Sequence, residues 1–336
     1  MQRQVVKALL TPEAYDEEVN NIGLVQTHIS FIFLTERFVY KVKKDVNLGF
    51  LDFTTLERRR FFCGKELELN RRLCEDMYLE VVPVNRSRAT HAIKIKGDGQ
   101  TVEYAVKMKK MPQEAMMSNL LEEGRVDDRI IDRIAGIIAN FHSKAETSKD
   151  ISEFGSSEVI ETNWNENFQQ TQEFAGRTIS GRDFKSIQKR IADFIEKKGF
   201  LFKKRIVGGK IRDCHGDIHS GNIFVTKKIY IFDAIEFNQR FRYSDVASDV
   251  AFLAMDLDFK RRPDLAEFFV RKYVEYSRDP DLAKLLPFYK CYRAYVRGKV
   301  NSFRLKDPNV GEAEKSSALK EAKAYFKWAS TYSKRL

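Results

Sequence analysis

Apolar and polar residues alternate in short runs early in the chain and repeat every three to four positions later. Residues 22–25, 30–34 and 38–43 are rich in β-branched and aromatic side chains and read as strands, separated by Gln26-Thr27-His28-Ile29 and by Thr35-Glu36-Arg37. The segment before them reads as helical. Thr54 and Glu57 have capping-box spacing and open a helix that runs to about residue 73. On its wheel Phe62, Glu66, Leu69 and Leu73 share one stripe, so Glu66 faces inward and needs a partner. Strands follow over 78–84 and 102–108, and Pro112 marks a connector. From there helices dominate: 128–145, on the spacing of Ile131, Ile134, Ile138 and Phe141, then 263–276, 281–305 and 312–332. Strands grouped before helices make this an α+β chain.

One stretch breaks the pattern. His215-Gly216-Asp217-Ile218-His219-Ser220-Gly221-Asn222 is polar and turn-like, and it runs into two short apolar strands, 223–225 and 229–232, joined at Thr226-Lys227-Lys228. That hairpin returns Asp233 to the side of Asn222. Phosphoryl transfer needs a group that orients the attacking hydroxyl and oxygen ligands that hold Mg²⁺ on the phosphates. Asp217, Asn222 and Asp233 offer those parts, and Asp217 precedes Asn222 with four residues between, the kinase spacing.

The run HGDIHSGNIFV followed by IFDAIEFN resembles the aminoglycoside phosphotransferase and choline kinase group of protein-kinase-like enzymes, and within it a bacterial branch of uncharacterised phosphotransferases. The resemblance implies a two-lobed, protein-kinase-like fold: an N-lobe over 15–110 with a small antiparallel sheet and one helix, and a mostly helical C-lobe over 111–336. It implies ATP held between the lobes, Asp217 as catalytic base and Asn222 and Asp233 as magnesium ligands. One departure stands out. Ala234-Ile235-Glu236 replaces the end of the protein-kinase Asp-Phe-Gly, so an activation switch of that type is not implied.

By the same resemblance a strand-three lysine reaches the ATP phosphates and pairs with a helix glutamate, here Glu66. Lys41 and Lys43 project from one face; alignment with Val-Ala-Ile-Lys favours Lys41 and leaves Lys43 as the alternative. The loop that covers phosphates in related enzymes lacks glycine here, so Thr27, His28 and Ser30 are the candidate donors, against the reading of an ordinary hairpin turn. The run from Met108 and Lys109 to Pro112 is the expected hinge against the adenine. Trp164 lies where related enzymes insert acceptor-site helices, and is equally a core residue. Asp245 is placed to cap a helix. Arg293 and Arg297, one turn apart, are either anion ligands or a solvated face.

Composition narrows the classes. A 336-residue chain with 43% hydrophobic residues is globular, and no stretch approaches a membrane span. Its four cysteines stand alone, which suits a reduced cytoplasm, the expected location. The net charge of +11 attracts acidic partners, yet it lies in mixed helical runs where solvation is the usual explanation; nucleic-acid binding is not expected, though charge leaves it open. No glycine-lysine-Ser/Thr phosphate loop is present, which argues against a P-loop kinase. Two other readings stand beside the kinase: a catalytically silent binding module of the same fold, and a metallohydrolase using His215, Asp217 and His219. The acceptor is a small-molecule hydroxyl of unnamed kind. Positive charge disfavours polycations globally, whereas Asp233, Glu236, Asp245, Asp249, Asp256 and Asp258 crowd one segment and favour them locally.

Overall fold

The computed structural model describes residues 1–307 and 310–336. In chain order the elements are α1 (Gln2–Ala8), β1 (Gly23–Gln26), β2 (Ser30–Leu34), β3 (Phe38–Lys43), α2 (Leu56–Cys74), β4 (Tyr78–Arg86), β5 (Ile93–Ile95) and β6 (Gln100–Lys109). Next come α3 (Met117–Glu122), α4 (Asp128–Lys144), α5 (Lys149–Glu153), α6 (Ser157–Thr171), α7 (Gly181–Val207), β7 (Ile211–Asp213), β8 (Ile223–Val225) and β9 (Ile229–Ile231). The chain closes with α8 (Gln239–Arg242), β10 (Tyr243–Asp245), α9 (Val246–Phe259), α10 (Pro263–Ser277), α11 (Leu282–Arg304) and α12 (Glu312–Ser333). Two compact units result: residues 1–119 with 222–239, and residues 120–221 with 240–336. No helix of the described residues is long and apolar enough to cross a membrane.

The first unit is built on an antiparallel sheet of order β1-β2-β3-β6-β4-β5. Alternation along β3 sends Tyr40 and Val42 into an apolar cluster with Val5, Leu9, Phe33 and Val82, while Lys41 and Lys43 share the other face, where α2 lies. The side chain that caps α2 belongs to Thr55, which accepts from the Arg58 N–H, one residue later than the capping-box spacing of Thr54 suggests. Thr54 is held instead by Asp52. The β8–β9 hairpin packs into this unit, where Phe224 and Tyr230 join Cys63, Cys74, Tyr78 and Met108. Strand β6 extends through Lys109, so the connector begins later than Met108.

In the second unit α9 is central: every residue from Val246 to Asp258 is buried. A helix apolar all round belongs inside, and here it carries three carboxylates, which burial obliges to find partners. Helix α4 lays its stripe of Ile131, Ile134, Ile138 and Phe141 inward, capped by Asp127. Trp164 is 1% exposed and packs among Phe168, Phe288, Tyr292 and Tyr295, so it is core. Asp245 caps α9 through the Ala247 N–H and takes a two-pronged bond from buried Arg205.

Candidate active site

In the first unit four sequence-named residues converge. The carboxylate of Glu66, fully buried on α2, divides between two lysines: Lys41 Nζ lies 2.8 Å from Oε1 and Lys43 Nζ 2.7 Å from Oε2. Lys41 also donates to Asp233 Oδ1 at 2.7 Å, and Lys43 donates to Glu236. The lysines differ in access. The Lys43 side chain is 0% exposed, under the ring of Phe53, whereas Lys41 is 11% exposed and its partner Asp233 43%. Burial works against the charge on Lys41, but Asp233 and Glu66 outweigh it and raise its pKa well above the lysine range. Burial likewise pushes Glu66 up, and Lys41 and Lys43 pull it down to about 2. Lys41 and Glu66 therefore both carry their charge, whereas burial pushes the Glu236 carboxyl up.

The hairpin sets Asp233. Strands β8 and β9 pair Ile223 with Ile231, and the Phe232 N–H donates to the Asn222 carbonyl at 3.0 Å, which closes the hairpin's base with Asn222 and Asp233 on its two ends. Asp233 has φ +65°, the left-handed region that residues with a Cβ seldom adopt. The following N–H, of Ala234, donates to the buried Oδ1 of Asn70 at 2.9 Å. A carboxylate and an amide oxygen suit a hard cation such as Mg²⁺, so Asn222 and Asp233 fit the ion that the resemblance implies.

Asp217 sits in the second unit, on a loop clamped from α9. The N–H groups of His215 and Gly216 donate to Asp249 at 2.8 and 2.9 Å, and that of Ser220 donates to Asp256 at 2.8 Å. Gly216 takes φ +88°, and its carbonyl accepts from Arg293 at 2.8 Å. Arg293 is thus buried loop scaffolding and not a solvated face. Burial pushes Asp217 up, but His219, 3.5 Å from its carboxylate, with Arg297 and His215 holds it well below the usual carboxylate range. It stays ionised, able to orient a hydroxyl.

Neither histidine offers Nδ1 outward: His215 Nδ1 accepts from the Asp217 N–H and His219 Nδ1 from the Gly221 N–H. Among the described residues the cluster with metal-ligand geometry is His142, Cys214 and Asp249, not His215, Asp217 and His219. Its members are already bonded, His142 to Tyr273 and Asp249, and Cys214 to the Ser244 carbonyl.

The remaining nucleotide candidates lie in the first unit. The Thr27 hydroxyl accepts from the Ser30 N–H at 2.9 Å and so closes its own turn; Ser30 is buried beneath it and His28 is exposed at the tip. Met108 is buried within the ladder opposite Val39, and the Lys109 N–H donates to the Met77 carbonyl. The six crowded acids are likewise engaged internally: beyond Asp233, Glu236, Asp245, Asp249 and Asp256 described above, Asp258 accepts from Lys290 and Tyr332. Of the six, Asp233 is the most open, at 43% exposed; the other five are buried.

A profile of the phosphotransferase enzyme family matches residues 80–288, from β4 into α11. The chain belongs to the phosphotransferase enzyme family. Uncharacterised proteins of Mycobacterium tuberculosis and Mycobacterium bovis are 32% identical to it over 284 residues, 84% of this chain. The chain spans 55% of the length of these relatives. Among solved structures, a choline/ethanolamine kinase family protein of Mesorhizobium loti superposes with TM-score 0.51 at 12% identity, covering 100% of this chain and 99% of that one. An ethanolamine kinase of Plasmodium vivax gives 0.51 at 11%, over 92% and 81% of the two chains. A putative aminoglycoside phosphotransferase of Ralstonia eutropha gives 0.50 at 11%, over 99% and 98%. These likenesses establish the fold as protein-kinase-like.

The family match begins after α2, so Lys41, Lys43 and Glu66 stand on geometry and not on the profile. Asn70 escaped the sequence reading, and Glu236, Asp249 and Asp256 were read there only as members of an acidic segment, not as internal partners. Asn70 lies four residues after Glu66, one turn along the same face, and that offset was the available signal. For Asp249 and Asp256 the signal was carboxylates seven apart in a mostly apolar helix.

Proposed function

We propose that this phosphotransferase moves the γ-phosphate of ATP, with Mg²⁺, to a hydroxyl of a small molecule. The observation that carries the reading is the cluster in which Glu66 Oε1 and Asp233 Oδ1 hold Lys41 at 2.8 and 2.7 Å. It supplies a positioned cation for phosphate beside a partly exposed carboxylate for metal. In this reading Asn222 and Asp233 hold the ion, which when bound neutralises charge on the phosphates. Lys41 binds phosphate and Glu66 keeps it in place; Thr27, His28, Ser30, Met108 and Lys109 border the nucleotide.

Asp217 is the base. Held ionised, it is a weak base, so it orients the acceptor hydroxyl and takes the proton late, as the new P–O bond forms. The test is a screen of hydroxyl metabolites with Mg²⁺-ATP and an ADP readout on the full chain. Acceptor-dependent ADP release is expected; its absence across sugars, amino alcohols and hydroxy acids, with no binding of Mg²⁺-ATP, overturns the reading.

A further inference from the structure

The segment 233–236 is tied down at three points: the Asp233 carboxylate to Lys41 on β3, the Ala234 N–H to Asn70 on α2, and the Glu236 carboxylate to Lys43 on β3. The first and last ties go to residues two apart on one strand face, so the segment lies along β3 like a rung-to-rung bridge. Glu236 is 7% exposed. Lys43 is fully enclosed by Glu66, Glu236 and the ring of Phe53, whose centroid is 4.9 Å from Nζ, so it has no open side from which to touch a ligand. Its chemistry is directed wholly inward.

We propose that Lys43 and Glu236 are an anchoring pair, positioning residues that lock the Asp233 segment onto β3 and leave Lys41 as the lysine that meets phosphate. The proposal rests on the phosphotransferase reading only for what Asp233 then does. Asp233 stands in a left-handed backbone conformation that has to be held from outside. Lys41 ties it through its own carboxylate, the group needed for metal. Asn70 ties one N–H. The Lys43–Glu236 pair ties the segment without using any group that faces the site, so it keeps Asp233 aimed while the other contacts change. Lys43 also stays on Glu66 Oε2, so the glutamate keeps its orientation whatever Lys41 binds.

The double variant Lys43→Met/Glu236→Leu removes the pair without leaving a buried charge unpartnered. In the full chain, amide exchange followed by mass spectrometry is expected to quicken at residues 233–236 by about tenfold or more, with β4–β6 protected as in the parent. Mg²⁺-dependent ADP binding, by calorimetry, is expected to need about 10–100-fold more Mg²⁺, the usual size of a loss behind a metal ligand, while metal-free ADP binding holds. Unchanged exchange at 233–236 overturns the proposal, even where the melting temperature falls. Should the parent fail to bind Mg²⁺-ADP, the kinase reading fails and the exchange arm still decides the anchor. If the double variant does not fold, Glu236→Gln serves: faster local exchange supports the anchor and parent-like exchange sinks it.

Discussion

Lys41 donates to Asp233 at 2.7 Å although 192 positions separate them in the chain. Strand β3 and the β8–β9 hairpin therefore form one charged surface, and Lys41 is its accessible cation. Lys41→Met is expected to lower phosphate transfer by about 10²–10³-fold, the scale for losing one preorganised electrostatic group. Lys43→Met should act first on stability, since it takes from the buried Glu236 carboxylate the lysine that it binds. Comparing ADP release with thermal melts of both variants separates the roles; a Lys43 variant that melts like the parent yet transfers more poorly than the Lys41 variant would reverse them.

Asp217→Asn is nearly isosteric and leaves the loop's backbone bonds to α9 intact. A loss of about 10²–10⁴-fold in transfer is expected, with nucleotide affinity close to that of the parent. Single-turnover transfer and a nucleotide-binding titration check the two halves. Transfer near the parental rate would remove Asp217 from the chemistry.

Asp249 gives a pH prediction. Burial pushes its carboxyl up, but His142 foremost, then Arg293 and His215, bring it down to about 2. An unfolded Asp titrates near 3.9, so its folded value is depressed. The stability it contributes is complete above about pH 4, declines as pH falls toward 2, and is gone below. Urea melts between pH 7 and 2.5 should show a falling unfolding free energy in that window, and Asp249→Ala should flatten this part of the curve. At neutral pH the same variant leaves the His215 and Gly216 N–H groups without their acceptor and takes from Arg293 the carboxylate 3.7 Å away, for a cost of about 3–5 kcal/mol.

Mg²⁺-ATP at a hundredfold excess over Kd should stabilise the protein by about 2.7 kcal/mol. A differential scanning melt measures it. Asp233→Ala should abolish the Mg²⁺-dependent part, because Asn222 alone is a poor site for a divalent ion.

The legible features were those written in local spacing. Asp217, Asn222 and the hairpin to Asp233 lie within one short stretch, and the inward stripe of α2 announced Glu66 four residues from Phe62. Alternation could not rank Lys41 against Lys43, because residues two apart on a strand share a face; the preference for Lys41 came from the resemblance alone. The structure puts both on Glu66. The role of Asp249 was hidden for the opposite reason: α9 is buried all round, so no polar face marks which of its acids points at the loop. Arg293 read as surface because a helical arginine usually is; here its partners, Gly216 and Ser248, are distant in sequence.

Asp249 and Asp256 stand seven residues apart on α9, two turns or about 10 Å, and between them they grip His215, Gly216 and Ser220. The loop bearing Asp217 is thereby shaped during folding and not at the moment of encounter. Its conformational entropy is given up in advance, so an acceptor loses only its own freedom on arrival. The surface around the loop is then free to vary with the acceptor, while the aspartate keeps its aim from a helix that solvent never reaches.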